Sequence, residues 1–207
     1  MRRFLMVVAA GLLAATFGDF AHAQADSSDA KEKPKTAALG EPGPAWSKLE
    51  GVDGKKHSLA DLKDAKAVLV VFTTNHCPVA VAYEDRLNEL HHDYKEKGVE
   101  LVAINVNNIE ADRMPAMKKR AEEKEFEFQY LYDPSQEIGR KYGATVTPHV
   151  FVLDGKRNVA YMGAIDDNQN PEKAKTHFLR DALDAVLAGK KPDPAKTRQF
   201  GCGIQYE

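Results

Sequence analysis

The chain has 207 residues, of which 43% are hydrophobic and 29% charged, and its 29 basic and 31 acidic residues give a formal net charge of −2. This composition suits one globular domain with appended segments. The balanced charge argues against a nucleic-acid or anionic-membrane surface, which would need a clustered basic excess. The two cysteines, Cys77 and Cys202, are too few for a four-cysteine zinc site.

The first residues have the pattern of a secretory signal peptide of bacterial type. Arg2 and Arg3 precede an apolar run at residues 4–17, and a small-x-small cleavage site follows at residues 21–23. The apolar run is shorter than the roughly 20 residues that span a bilayer, which favours cleavage over an uncleaved anchor. The sequence therefore predicts a signal peptide at residues 1–23 and export to the bacterial periplasm, an oxidising compartment. No contact with the membrane is expected after cleavage.

Three further segments are predicted after the signal peptide. Residues 24–44 are small, charged and proline-rich, which indicates a flexible linker. A folded domain is expected over residues 45–190. The remaining residues, 191–207, form a C-terminal tail that carries Cys202.

Strand and helix patterns alternate along the domain. A short hairpin and a brief helical turn come first, and then apolar strand patterns alternate with helical spacings before a closing hairpin and a last helix. The expected strands lie at residues 67–72, 99–106, 126–132, 146–153 and 158–162, and the expected helices at residues 78–97, 110–125, 133–142 and 176–188. This order predicts an α/β domain with helices on both faces of a mixed, mainly parallel sheet.

The most informative stretch is the end of the first buried strand. The apolar run at residues 67–72 stops at a short polar turn, which ends in Cys77 and is followed by Pro78. A cysteine at a helix N-terminus is stabilised as a thiolate by the peptide dipoles, and proline fits the first helical position. We therefore expect Cys77 to be reactive. A buried, inert cysteine is the alternative, but it would not require the polar approach to the helix.

A proline inside a strand pattern needs a special reason, because it cannot donate to the sheet. Pro148 lies inside the strand expected at residues 146–153, and a cis peptide bond after Thr147 is one such reason. A cysteine at the start of a helix together with a later strand headed by proline is the arrangement of the thioredoxin fold.

Several short motifs carry a resemblance to the peroxiredoxin-like (redoxin, AhpC/TSA-like) branch of the thioredoxin superfamily. They lie at residues 74–78, 83–87, 102–105, 130–133, 142–148, 163–167 and 201–204. The resemblance covers about residues 44–206. It implies a thioredoxin-like fold, three-layer α/β/α with a mixed central sheet, and a thiol-dependent oxidoreductase with an antioxidant role.

The resemblance also implies roles for individual residues. Cys77 takes the place of the nucleophilic cysteine, and Thr74 that of a threonine whose hydroxyl hydrogen-bonds the site. The chain departs from the peroxiredoxin pattern at Val70, where that pattern has proline. It departs again at residues 147–149, where Thr-Pro-His replaces an arginine. It departs from thioredoxin at Ala80, which replaces the second cysteine of a C-x-x-C pair.

Cys202 has three interpretations. It would resolve an oxidised Cys77, hold a structural bridge to Cys77, or bridge to another chain. A structural Cys77–Cys202 bridge in a folded domain without turnover is the plainest of these alternatives.

Two histidines flank the expected site. His76 precedes Cys77 and His149 follows Pro148, so either could face the sulfur, and we expect His76, Thr147 and His149 to contact a substrate. An imidazolium would stabilise a thiolate. A copper-binding or redox-sensing module that uses Cys77 with these histidines is the alternative function; solvated or packing histidines are the simplest reading.

The sequence thus predicts a thiol-based redox protein. The Cys77 thiolate is expected to reduce a peroxide or to exchange with a protein or small-molecule disulfide, with Cys202 or an external thiol reductant completing the cycle. Pro148 and Thr147 would position the substrate. No cofactor, no metal and no nucleic-acid partner are expected, and the oligomeric state is not indicated.

Overall fold

The structure is a computed structural model, and it describes residues 36–207. The predicted signal peptide, residues 1–23, and the first part of the predicted linker, residues 24–35, lie outside the described residues.

A mixed sheet forms the centre of the domain. Within residues 36–207 it contains seven strands in the order β2-β1-β5-β4-β3-β7-β8. The strands are β1 Leu49–Gly51, β2 Lys56–His57, β3 Ala67–Phe72, β4 Val99–Asn105, β5 Gln129–Tyr132, β7 His149–Leu153 and β8 Val159–Gly163. Two further strands, β6 Val146–Thr147 and β9 Cys202–Gly203, form a separate pair. The pairs β3–β4 and β4–β5 are parallel and the others are antiparallel.

Helices cover both faces of this sheet. They are α1 Pro78–Val81, α2 Glu84–Lys95, α3 Met114–Glu123, α4 Glu137–Tyr142 and α5 Phe178–Leu187, with 3-10 helices at Leu59–Leu62, Glu110–Asp112 and Pro171–Lys173. None of the helices in the described part of the chain has the length and apolar character needed to cross a membrane.

The central strand explains why its sequence is continuously apolar. In β3, Leu69 and Val71 pack into the core that contains Leu87 and Leu183, whereas Val70 and Phe72 pack into the opposite core. All six residues of β3 are buried. A strand covered on both faces has no reason to alternate polar and apolar residues. The three-layer thioredoxin-like fold with a mixed sheet, predicted from the sequence, is confirmed. The prediction that the sheet is mainly parallel is wrong, because β1, β2, β7 and β8 all join it in antiparallel pairs.

Two predicted elements are interrupted in the structure. The helix expected at residues 78–97 consists of α1 and α2, which are separated at Ala82 and Tyr83. The strand expected at residues 146–153 divides at Pro148, where the preceding peptide bond is cis. Since proline has no N–H to donate, β6 leaves the main sheet there and pairs with β9 instead.

The boundary between linker and domain lies earlier than predicted. Residues 36–44 are not a free tether, because Ala37 donates to the Lys141 carbonyl at 3.0 Å and Gly43 donates to the Arg157 carbonyl at 2.8 Å. Gly40 donates to the Val159 carbonyl at 2.9 Å. The small, proline-rich composition correctly indicated few buried side chains, but this segment gains its contacts through the backbone. The predicted end of the linker at residue 44 is therefore wrong.

The C-terminal tail is also packed on the domain. Met162 of β8 donates to the Ala195 carbonyl at 3.1 Å and accepts from the N–H of Thr197 at 3.1 Å. Farther along, the Tyr206 hydroxyl donates to the Ala144 carbonyl at 2.7 Å. These contacts bring Cys202 to the same end of the sheet as the junction between β3 and α1.

Candidate active site

Cys77 lies at the junction between β3 and α1 and is fully buried. It is the N-cap residue of α1, and its Sγ lies 3.5 Å from the N–H of Ala80. The carbonyl oxygen of Thr147 lies 3.3 Å from the same sulfur. Pro78 occupies the first turn of α1, as the sequence predicts. The sulfur is thus placed between a helix N-terminus and the backbone that precedes Pro148.

Cys77 is joined to Cys202 by a disulfide bond across 125 positions of sequence, with the two Cα atoms 5.9 Å apart. Both cysteines of the chain are used in this bond. Of the three interpretations of Cys202, the structure shows the pairing within one chain. The geometry is common to a resolving pair and to a structural bridge.

Thr74 organises the turn that leads to Cys77. Its Oγ1 accepts from the N–H of Cys77 at 3.2 Å and from the N–H of His76 at 3.1 Å. The sequence predicted a hydrogen bond from this hydroxyl to the site. The described contacts are to the backbone of the turn and to the His76 ring rather than to the sulfur.

His76 is held by an acidic residue that the sequence did not indicate. Its Nδ1 contacts the carboxylate of Asp112, which is fully buried, and lies 2.8 Å from the Thr74 hydroxyl. The same carboxylate accepts from the N–H of Asn75 at 2.7 Å. Asp112 belongs to a charged stretch without a recognisable motif, so its position near Cys77 is decided only by the packing of the 3-10 helix.

His149 occupies a different environment from His76. It is 3% exposed, its ring lies 4.5 Å from that of Phe151, and its Nδ1 has no hydrogen-bond partner among the described residues. Burial, with a smaller contribution from the positive charge of Lys196, lowers the pKa of His149 to about 4. The imidazole is therefore neutral at neutral pH. A neutral imidazole at His149 has no positive charge with which to stabilise the Cys77 thiolate.

A cavity of about 340 Å³ lies beside His149, beneath the tail. Tyr142, Met162, Lys196 and Gln199 contribute to its walls. The Tyr142 hydroxyl is buried and, within residues 36–207, has no hydrogen-bond partner, and burial raises its pKa. The cavity is therefore lined by both polar and apolar residues, and two of them, Tyr142 and His149, have a buried polar atom without a hydrogen-bond partner in the described part of the chain.

The described residues do not form a cluster of metal ligands. Among residues 36–207 no group of three or more His, Cys, Asp or Glu side chains is placed to hold one. His76 is engaged with Asp112, and His149 packs against Phe151. The copper-binding alternative gains no support from this arrangement.

A charged network supports the tail from the side of α2. Asp166 is buried and accepts from the Tyr83 hydroxyl at 2.5 Å, and it pairs with Arg86. The Arg86 guanidinium lies 3.8 Å from the centroid of the Tyr83 ring, and Phe200 of the tail lies 6.2 Å from that ring. This chain of contacts runs from α2 to within two residues of Cys202.

Comparisons with known proteins agree on the family and the fold. The redoxin family model matches residues 38–177. The chain is similar to the thiol:disulfide interchange protein DsbE of Yersinia pestis, at 30% identity over 136 residues, which covers 65% of this chain and 68% of the relative. It is also similar to the thiol-disulfide oxidoreductase ResA of Bacillus thuringiensis subsp. konkukian, at 31% identity over 103 residues, which is 50% of this chain. The match spans only 57% of the length of that ResA.

A solved structure matches over a longer range. The crystal structure of a hypothetical protein from Sinorhizobium meliloti 1021 has a TM-score of 0.78 and 31% sequence identity to this chain. The match covers 84% of this chain and 97% of that one. The likeness therefore includes almost the whole of that solved chain.

Proposed function

Because the chain belongs to the redoxin family of the thioredoxin superfamily, we propose that it is a thiol-disulfide oxidoreductase with Cys77 and Cys202 as its redox pair. In the proposed cycle the Cys77 thiolate attacks one sulfur of a substrate disulfide and releases the other as a thiolate. Cys202 then attacks the sulfur of Cys77, which frees the second substrate thiol and leaves the Cys77–Cys202 disulfide. An external thiol reductant returns this disulfide to two thiols.

One observation carries the proposal. The thioredoxin position for a second cysteine is filled by Ala80, yet Cys202 reaches Cys77 from the far end of the chain and bonds to it. A pair of this kind supplies the resolving thiol that the helix lacks. The placement of Cys77 at a helix N-cap supports its role as the nucleophile.

The neighbouring residues take supporting roles in the proposal. Thr74 and His76 hold the turn that presents Cys77, and Asp112 holds both the backbone and the ring of that turn. Thr147 offers its backbone to a bound thiol beside Pro148. His149 acts through packing, since it is buried and neutral.

The predicted signal peptide supports export, and the names of the relatives support disulfides as the substrates. We propose that the chain is exported, acts on disulfides in proteins or small molecules, and depends on an external thiol reductant. Fractionation of the expressing cells, with detection of the chain in the periplasmic fraction and N-terminal sequencing, would test the export and the cleavage.

The test of the redox pair follows the fate of each sulfur. The reduced full chain is mixed with an oxidised peptide that contains one disulfide, quenched with acid, alkylated and analysed by mass spectrometry. We expect the wild type to form the Cys77–Cys202 disulfide with release of peptide thiols. We expect Cys202→Ser to stop at a mixed disulfide on Cys77, and Cys77→Ser to react no faster than a free thiol. A Cys77→Ser variant as active as the wild type would overturn the proposal.

Peroxide reduction would use the same pair of cysteines. Cys77 would be oxidised to a sulfenic acid, and Cys202 would condense with it to form the disulfide and water. The chain has neutral His149 near the place where peroxiredoxins carry an arginine, so disulfide exchange is the better-supported reaction. Stopped-flow oxidation by hydrogen peroxide would exclude the peroxidase if the rate constant is no greater than that of free cysteine.

A further inference from the structure

The tail is bound as an extended strand at the edge next to Pro148. Cys202 lies opposite Thr147 and Gly203 lies opposite Val146 in an antiparallel pair. The N–H of Ile204 then donates to the Thr145 carbonyl at 2.9 Å. The backbone of β6 therefore holds Cys202 in line with Cys77 through the kind of pairing by which an extended peptide adds to a sheet edge.

The residue before Cys202 fits only because it has no side chain. Gly201 has a φ of +156°, and a Cβ built on it would overlap the carbonyl oxygen of Thr147. The same Cβ would lie 2.7 Å from the Thr147 carbonyl carbon and 3.2 Å from the nitrogen of Pro148. All three are backbone atoms, and the last two are joined by the peptide bond between Thr147 and Pro148. Rotation of a side chain therefore cannot relieve the overlap.

The residue after Cys202 has no such restriction. A Cβ built on Gly203 would meet no described atom within 4 Å. The cleft beside β6 that the tail occupies therefore excludes a side chain at the position before the cysteine and has room for one at the position after it.

We propose, on the basis of the function proposed above, that this cleft selects cysteinyl disulfides in which an unbranched methylene precedes the carbonyl bonded to the cysteine nitrogen. In the disulfide form, residues 201–203 of the tail then lie where the substrate would bind. Two kinds of thiol share the required chemistry. One is a peptide with a Gly-Cys pair, and the other is γ-glutamyl-cysteinyl-glycine (glutathione), whose γ-linkage places a CH₂ group at this point.

The reaction at the cleft is an exchange of disulfides. The Cys77 thiolate attacks one sulfur of RS–SR, forming Cys77–S–SR and releasing RS⁻. The RS group, still bonded to Cys77, then moves out of the cleft, the tail docks in its place, and Cys202 attacks the Cys77 sulfur, forming the Cys77–Cys202 bond and releasing the second RS⁻. The two substrate sulfurs are reduced and the two protein thiols are oxidised.

The experiment uses the reduced full chain with Cys202→Ser, which stops at the mixed disulfide. The probes are glutathione disulfide and the symmetric disulfides of capped Gly-Cys-Gly, Ala-Cys-Gly and Gly-Cys-Ala. Formation of the mixed disulfide at Cys77 is timed by intact mass, and each rate is divided by the rate of the same probe with free cysteine.

We expect Gly-Cys-Gly and Gly-Cys-Ala to react at equal rates, and Ala-Cys-Gly to react at least tenfold more slowly. A fast reaction with glutathione disulfide would identify the small thiol as a source, whereas a slow one would assign the cleft to peptides; both outcomes support the selection. Equal rates for Ala-Cys-Gly and Gly-Cys-Gly, both above the free-cysteine rate, would overturn the selection and leave the oxidoreductase intact. Rates at the free-cysteine level for every probe would overturn both proposals.

Discussion

His149 shows how burial sets the chemistry of a single side chain near Cys77. It begins β7, packs against Phe151 and lies beneath the tail, where Lys196 adds a positive charge. The folded protein therefore disfavours its protonated form, and its pKa of about 4 lies below the value of an exposed histidine.

This shift predicts a loss of stability in acid. His149 binds a proton near pH 6.5 in the unfolded chain but only near pH 4 in the folded chain. Its titration therefore leaves the free energy of unfolding unchanged above pH 6.5 and lowers it as the pH falls toward 4. When the pH is lowered from 7 to 4, the free energy of unfolding should fall in both proteins, and we expect the fall to be about 3 kcal/mol smaller in His149→Leu than in the wild type. Urea denaturation at the two pH values measures this difference. His92→Leu, at an exposed position on α2, should retain the acid response of the wild type; an unchanged response in His149→Leu would contradict the argument.

Gly201 and Gly203 form a matched pair on either side of Cys202. A side chain at position 201 would collide with the backbone of Thr147 only while the tail is docked, so it opposes the disulfide form. We expect Gly201→Ala to raise the ratio of reduced to oxidised protein at least tenfold in a glutathione redox buffer. Gly203→Ala should match the wild type. Alkylation and intact mass give the two populations, and equal ratios in the two variants would contradict the close approach.

At the scale of elements, an ion pair between the partly exposed Arg86 and the buried Asp166 connects the start of α2 to the loop after β8. Arg86 pairs with Asp166 and also donates to the Asn168 carbonyl at 3.0 Å, while Tyr83 supplies a second donor to the same carboxylate. Asp166 is therefore held by two side chains, Arg86 and Tyr83, that are far from it in the sequence.

Removing the arginine should therefore cost more than removing a surface charge. Arg86→Ala leaves the buried carboxylate of Asp166 without its cation, and we expect a loss of about 3–5 kcal/mol in the free energy of unfolding. Lys119→Ala removes the 77% exposed partner of Glu123 and should cost less than about 1 kcal/mol. Chemical denaturation compares the two variants. A loss in Arg86→Ala as small as that in Lys119→Ala would contradict the role of the pair.

At the scale of the whole molecule, the Cys77–Cys202 bond closes residues 77–202, which include all the helices from α1 to α5, into one loop. A crosslink across 125 positions restricts the unfolded chain, which on the loop-entropy argument stabilises the folded state by up to about 5 kcal/mol. The tail has additional contacts through Tyr206 and Thr197, so it can remain docked in part when the bond is absent.

Opening the disulfide bond, by substitution of Cys202 or by chemical reduction, should lower the free energy of unfolding. We expect Cys202→Ser to reduce the free energy of unfolding by about 2–5 kcal/mol, and a reductant to lower the wild type by a similar amount. The same reductant should leave Cys202→Ser unchanged. Denaturation curves with and without dithiothreitol measure these differences; no change in either case would show that the bond does not stabilise the fold.

Much of the architecture could be predicted because it depends on local patterns. The buried strand at residues 67–72 follows from its continuous apolar run, and the helix start at Cys77 follows from the polar turn and Pro78. The linker boundary could not be predicted in the same way. Residues 36–44 bury few side chains, and their backbone hydrogen bonds to Lys141, Arg157 and Val159 have no signature in composition.

The sequence by itself determined the thioredoxin-like class of the fold, the position of Cys77 at a helix N-terminus and the presence of one other cysteine, since each depends on neighbouring residues. Only the tertiary structure decided which distant groups meet: Asp112 beneath His76, Asp166 against Arg86, and Cys202 on Cys77. The physical reason is the same in each case. Contacts across many positions depend on strand order and register, as with Gly201 against the backbone of Thr147, and no local periodicity encodes them.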